Sequence, residues 1–264
     1  MTWLFLYLVL GLVSGFFAGL LGIGGGLMMV PVLTIAFAAQ GFPADELLHL
    51  ALGTSMATIL FTAIASLRAH HAHGAVMWPV VKSLTPGILL GTLLGTAIAG
   101  AVPTRPLSIF FTAFVCLTAW QMATGFKPKP HREVPGTGGL IGVGSVIGAV
   151  SALVAIGGGA LTVPFLTWCN VRVQHAIGTS AAVGLPIAIG GTIGYVFNGW
   201  SHQLPEWSAG FVYLPAVAAL IVGSMSTAPL GAKTAHRLPV PTLKRIFAGL
   251  LLVLAGKMLW NLFA

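Results

Sequence analysis

The residues best suited to chemistry are two runs of three glycines, Gly24-Gly25-Gly26 and Gly157-Gly158-Gly159, each followed five residues later by a proline, Pro31 or Pro164. Both runs sit inside apolar stretches. Glycine admits backbone angles and close approaches that other residues forbid. A helix that starts at such a break presents unpaired N–H groups and the positive end of its dipole, which together suit a small anion. On this reading Gly24, Gly25, Gly26, Gly157, Gly158 and Gly159 hold substrate, and Pro31 and Pro164 shape the arms that follow. The same glycines would also serve tight packing of a hairpin.

Two Gly-Thr-Ser blocks supply hydroxyls at matching places. Thr54 and Ser55 answer to Thr179 and Ser180. They can complete an oxyanion site, or bond across helices and back to the preceding turn. Only four acidic residues occur, Asp45, Glu46, Glu133 and Glu206, all expected in loops. A cation transporter usually carries carboxylates inside the membrane, so their absence argues for an anion. His70, His71 and His73 lie close together after Arg68 and are read as part of a solvated loop, with metal binding as the alternative. There is no P-loop, HExxH or GxSxG, so no ATPase, metalloprotease or serine hydrolase is indicated. No cofactor or metal is expected. Cys116 and Cys169 carry no disulfide or metal spacing and read as packing thiols.

The elements that must position these residues follow from composition. The chain has 264 residues, mean hydropathy +0.99, 57% hydrophobic residues and 6% charged. Soluble domains carry about 25% charged residues. Apolar stretches of about 20 residues recur throughout, each long enough to cross a bilayer core. The 12 Lys and Arg flank these stretches, so the net charge of +8 orients membrane helices and does not point to nucleic acid. The N-terminus lacks a basic n-region, so the first stretch is expected to be a retained helix.

The chain repeats itself. Residues 15–34 and 148–167 are identical at ten of 20 positions; ALGTSMA at 51–57 matches AIGTSAA at 176–182; 103–122 matches 239–258. The expected domains are a first repeat at 1–126, a polar, Pro/Gly-rich linker at 127–138, and a second repeat at 139–264. Each half reads as a glycine-broken hairpin plus three spans. The first has a helix at 3–21, a break at Gly22–Gly26, an arm continuing to about 39, and spans near 48–68, 77–101 and 105–125. The second has a helix at 139–155, a break at Gly157–Gly159, an arm to about 168, and spans near 175–197, 210–232 and 241–262. If each broken segment begins and ends on one side, ten Lys and Arg face the cytoplasm and two, Arg105 and Lys257, face out. If each crosses once, the count is six against six. The positive-inside rule selects the hairpin, and with it halves of opposite orientation. The expected fold class is therefore an all-α polytopic membrane protein with an inverted-topology duplication. Small residues at four-residue spacing, Gly11, Gly15 and Gly19 or Gly87, Gly91 and Gly95, read as close-packing stripes. An added methyl there, as in Gly11→Ala, is expected to be milder than a side chain at a break.

The paired IGGG-x4-P blocks, each followed by a GTS block, resemble the TauE/SafE sulfite exporter family, also called the TSUP permeases. The resemblance spans nearly the whole chain, and the closing block at 230–258 shares in it. It implies a multi-pass permease of a bacterial or archaeal inner membrane that moves sulfite, sulfoacetate or another small sulfur-containing anion. The family's motif falls on Gly24, Gly25, Gly26, Pro31, Gly157, Gly158, Gly159 and Pro164. The expected function is a secondary transporter for such an anion, with the lipid bilayer as its other partner. A passive anion channel is the alternative, and an integral-membrane enzyme built on His70, His71 and His73 is a third class.

Overall fold

The computed structural model describes residues 2–124, 133–235 and 240–263. Residues 127–132 of the 127–138 linker, with Lys127, Lys129 and Arg132, and also Arg237, lie outside the described residues. Among the described residues ten α-helices appear in order: α1 (Thr2–Leu21), α2 (Gly26–Ala39), α3 (Leu47–Ala72), α4 (Trp78–Ala101), α5 (Thr104–Thr124), α6 (Thr137–Val154), α7 (Gly159–Trp168), α8 (Val173–Gly199), α9 (Leu214–Ala235) and α10 (Val240–Phe263). Among the described residues, seven of these, α1, α3, α4, α5, α6, α8 and α9, belong to segments long and apolar enough to cross a membrane. Their outer faces carry bare Leu90, Leu94, Leu117, Val146 and Val222. An exposed apolar surface of this extent fits lipid as its solvent. The protein is an all-α polytopic membrane protein.

Each half begins with a broken pair. α1 breaks at Gly22–Gly25 before α2, and α6 breaks at 155–158 before α7. α2 has 14 residues and α7 has 10. At 1.5 Å per residue neither reaches across a core of about 30 Å. Pro31 and Pro164 lie inside α2 and α7, at the sixth residue of each.

Glycine stripes set the packing. A Cβ at Gly11, Gly15 or Gly19 of α1 would lie 2.6 Å from Leu220 O, 2.4 Å from Ser224 Cα and 1.9 Å from Ala228 O of α9. On α4, Gly87, Gly91 and Gly95 close in the same way on Ile141, Ser145 and Ala149 of α6. The first helix of each half thus packs against the fourth helix of the other. These contacts are to backbone, so Gly11→Ala is not mild. Something must move to admit even one methyl group.

The order of contacts gives directions. Positions advance together between α1 and α9, between α3 and α9 (Thr54 with Tyr213, Thr62 with Ser224), between α4 and α6, and between α4 and α8 (Gly190 with Thr92, Gly194 with Thr96), so these pairs run parallel. Between α3 and α8 they run oppositely, Gly53 against Tyr195 and Met56 against Gly191. It follows that α1 and α3 share a direction, and that α6 and α8 share the reverse one.

Two expectations need correction. The span expected to begin near residue 210 starts at Leu214, because a small antiparallel hairpin, β1 (Ser208–Ala209) and β2 (Val212–Tyr213), precedes it. The histidines after Arg68 are not all solvated, because His71 and His73 are exposed but His70 is not. α3 continues to Ala72, and His70 in its last turn is fully buried.

Candidate anion-binding site

The two glycine breaks meet. Gly157 N–H donates to Ile23 O at 2.8 Å. A Cβ on Gly24 would lie 2.8 Å from Gly157 Cα, and one on Gly157 would lie 2.9 Å from Gly24 Cα. A Cβ on Gly26 would strike Ala155 O, and one on Gly159 would lie 2.4 Å from Gly22 O. The contact lies beside Ile59, in the middle of α3, and Gly184, in the middle of α8. All six glycines of the two runs are brought together and buried.

The local backbone explains why glycine stands here. Gly25 and Gly158 precede the first residues of α2 and α7 with φ of 81° and 85°. Those left-handed angles strain any residue with a Cβ. Gly22 and Gly24 share them at 69° and 80°. The second half departs from glycine at Ala155, which takes φ 46° where the first half has Gly22.

The helix starts carry unused donors. Met28 and Met29 N–H bond to Gly25 O, and Leu161 and Thr162 N–H bond to Gly158 O. Among the described hydrogen bonds none uses the N–H of Gly24, Gly25, Gly26, Gly158 or Gly159. Buried N–H groups are almost always paired. Two short helices starting side by side add about half a positive charge each. The contact can therefore receive a negatively charged group with hydrogen-bond acceptors.

The hydroxyl blocks divide. Thr54 Oγ1 accepts the N–H of Tyr213 at 3.0 Å, just before α9, and Thr179 Oγ1 accepts the N–H of Met77 at 3.0 Å, just before α4. These matched threonines hold the entry to the fourth helix, α9 for Thr54 and α4 for Thr179, and each serves the helix of the opposite half. Ser180 Oγ donates to Gly22 O at 2.9 Å and so touches the first break directly. Ser55 Oγ is buried and has no partner. Of the four, Ser180 alone is shown touching a break, whereas the threonines brace helix starts.

Sequence reasoning missed His70. Its Nε2 lies 2.9 Å from Gly19 O in the last full turn of α1. At the aligned position of the second half, Tyr195 OH donates to Ala152 O of α6 at 2.9 Å. Gly19 and Ala152 are themselves aligned in the repeat. Two different side chains thus pin the end of each broken helix, and the alignment of His70 with Tyr195 was the available signal. Among the described residues no three His, Cys, Asp or Glu side chains converge as metal ligands.

The family model described as "Sulfite exporter TauE/SafE" matches residues 7–258. The chain belongs to the TauE/SafE family. Its relatives include a "Probable membrane transporter protein" of Haemophilus influenzae, 38% identical across 97% of this chain and 98% of the relative. Similar proteins with the same style of name occur in Methanocaldococcus jannaschii, 26% identical across 96% and 94% of the two chains, and in Bacillus subtilis, 26% identical across 93% and 96%. No solved structure gives a significant match. A TauE/SafE chain with seven membrane-length segments is a multi-pass membrane transporter.

Proposed function

We propose that this TauE/SafE protein is a secondary transporter for a small sulfur-containing anion, sulfite or an organosulfonate such as sulfoacetate, in a bacterial inner membrane. Its halves, 1–126 and 139–264, are inverted copies joined by a cytoplasmic linker at 127–138. The opposite directions of α1 and α6 and the exchanged partnerships of α1 with α9 and α4 with α6 support that reading. The anion is held between the starts of α2 and α7, and access alternates as one half rocks against the other. The observation that carries the reading is the contact of the two breaks with the N–H groups of Gly24, Gly25, Gly26, Gly158 and Gly159 unspent among the described hydrogen bonds. Each hydrogen bond to a charged ligand is worth about 1.5–3 kcal/mol, enough for a few to offset desolvation without trapping the anion.

Proteoliposomes test this. Vesicles containing the protein are offered sulfite, sulfoacetate, sulfate and a set of divalent metals. Flux of sulfite or sulfoacetate is expected, with none of metal. Metal flux without anion flux overturns the functional reading, and flux of a non-sulfur anion overturns the substrate. Counterflow of labelled sulfoacetate separates a carrier, which shows it, from a passive channel, which does not.

A further inference from the structure

Beside the joined breaks lies a small cavity of about 10 Å³, which is room for about one water molecule. Its walls include Gly22, Gly24 and Gly157 from the breaks and Thr62 and Ser66 from α3. Thr62 Oγ1 is engaged, 3.0 Å from Thr58 O and 2.8 Å from Ser224 Oγ. Ser66 is 3% exposed, and its Oγ has no partner. A buried hydroxyl without a partner is costly and calls for an explanation.

The second break has a buried, unpartnered hydroxyl of its own, Thr162 of α7, whose Oγ1 lies 3.3 Å from where a Cβ at Gly158 would be, but the position matching Ser66 carries none. The repeat pairs Ser66 with Gly191, Thr62 with Ile187 and Ala181, another wall residue, with Met56. Met56 Sδ would lie 2.8 Å from a Cβ at Gly191, and Ile187 Cδ1 lies 2.8 Å from where a Cβ at Gly158 would be. Thioether and hydrocarbon stand at the places that match Ala181 and Thr62. The hydroxyl-lined side faces the end of α3 that carries Arg68.

Resting on the anion-transport reading, we infer that Ser66 is a substrate contact on the path between the glycine breaks and the Arg68 end of α3. Its Oγ–H donates to an oxygen of the anion as the anion enters or leaves the breaks on that side. Ser66 has no counterpart in the second half, where Gly191 stands at the matching position, so this contact is made on one side only.

Initial-rate flux of sulfite and of sulfoacetate in proteoliposomes tests this. Ser66→Ala is expected to raise KM about tenfold or more, the worth of one hydrogen bond to an ion, and Ser66→Thr to keep it near wild type. Ser226→Ala, on α9 where the hydroxyl serves its own helix, leaves KM unchanged. An unchanged KM in Ser66→Ala overturns the assignment while wild-type flux keeps the transporter reading. Absence of both fluxes in the wild type overturns both. Should Ser66→Ala fail to reach the membrane, Ser66→Cys in a chain with Cys116 and Cys169 replaced by Ala is labelled with a maleimide. Saturating sulfoacetate is expected to slow the labelling, and labelling at the same rate with and without it overturns the proposal.

Discussion

A glycine at a left-handed angle and a glycine in a packing stripe fail in different ways when they gain a side chain. Gly25 and Gly158 combine positive φ with crowding, since a Cβ at Gly25 would lie 2.9 Å from Ser14 O. Gly25→Val or Gly158→Val is therefore expected to abolish anion flux while some protein still reaches the membrane. Valine here distorts the break and turns the N–H groups away from the ligand. Gly11 is no gentle control, because its Cβ would meet the backbone of α9. Gly142 is the better one, with nothing within 4 Å of a Cβ and a place within α6. Gly142→Ala should transport like wild type. Undiminished flux from both valine variants would remove the breaks from the site.

At the scale of the element, Thr54 and Thr179 act as braces between halves. Valine keeps the shape of threonine but leaves the Tyr213 or Met77 N–H without its acceptor. Thr54→Val and Thr179→Val should each cost about 1–2 kcal/mol, read as a lowered unfolding temperature of the purified protein. Serine at either place should restore most of the loss. Equal stability of the valine and wild-type proteins would refute the bracing role.

Helix boundaries were legible in the sequence because apolar runs, Gly breaks and prolines are local signals. The partners of these threonines were not. They lie 159 and 102 residues away, so a hydroxyl bracing a distant helix start reads the same as one facing a ligand. His70 was hidden for the same reason, its acceptor being 51 residues away on α1.

At the scale of the molecule, the opposed directions of matching helices predict where the chain ends emerge. Reporter fusions after Phe126 and after Ala264 should give opposite signals, the first cytoplasmic and the second periplasmic. Ten cations against two support that placement, by the positive-inside rule. The same signal at both points would break the inverted arrangement.

The exchanged partnership of α1 and α9 also has a consequence in time. α1 leaves the ribosome first, yet the surface that its glycines fit belongs to a helix made near the end. With about 200 residues between them and synthesis at about 5–20 residues per second, α1 waits about 10–40 s for its partner. During that interval its narrow glycine face meets lipid or the insertion machinery. α4 and α6 are separated by α5 and the linker alone and join much sooner. Nascent chains arrested before Leu214 should therefore hold α4 and α6 in a protected pair while α1 stays open to crosslinking by lipid-borne reagents. Chains arrested after Ala235 has cleared the ribosome should lose that reactivity, and α1 protected before α9 exists would show that it finds another partner first.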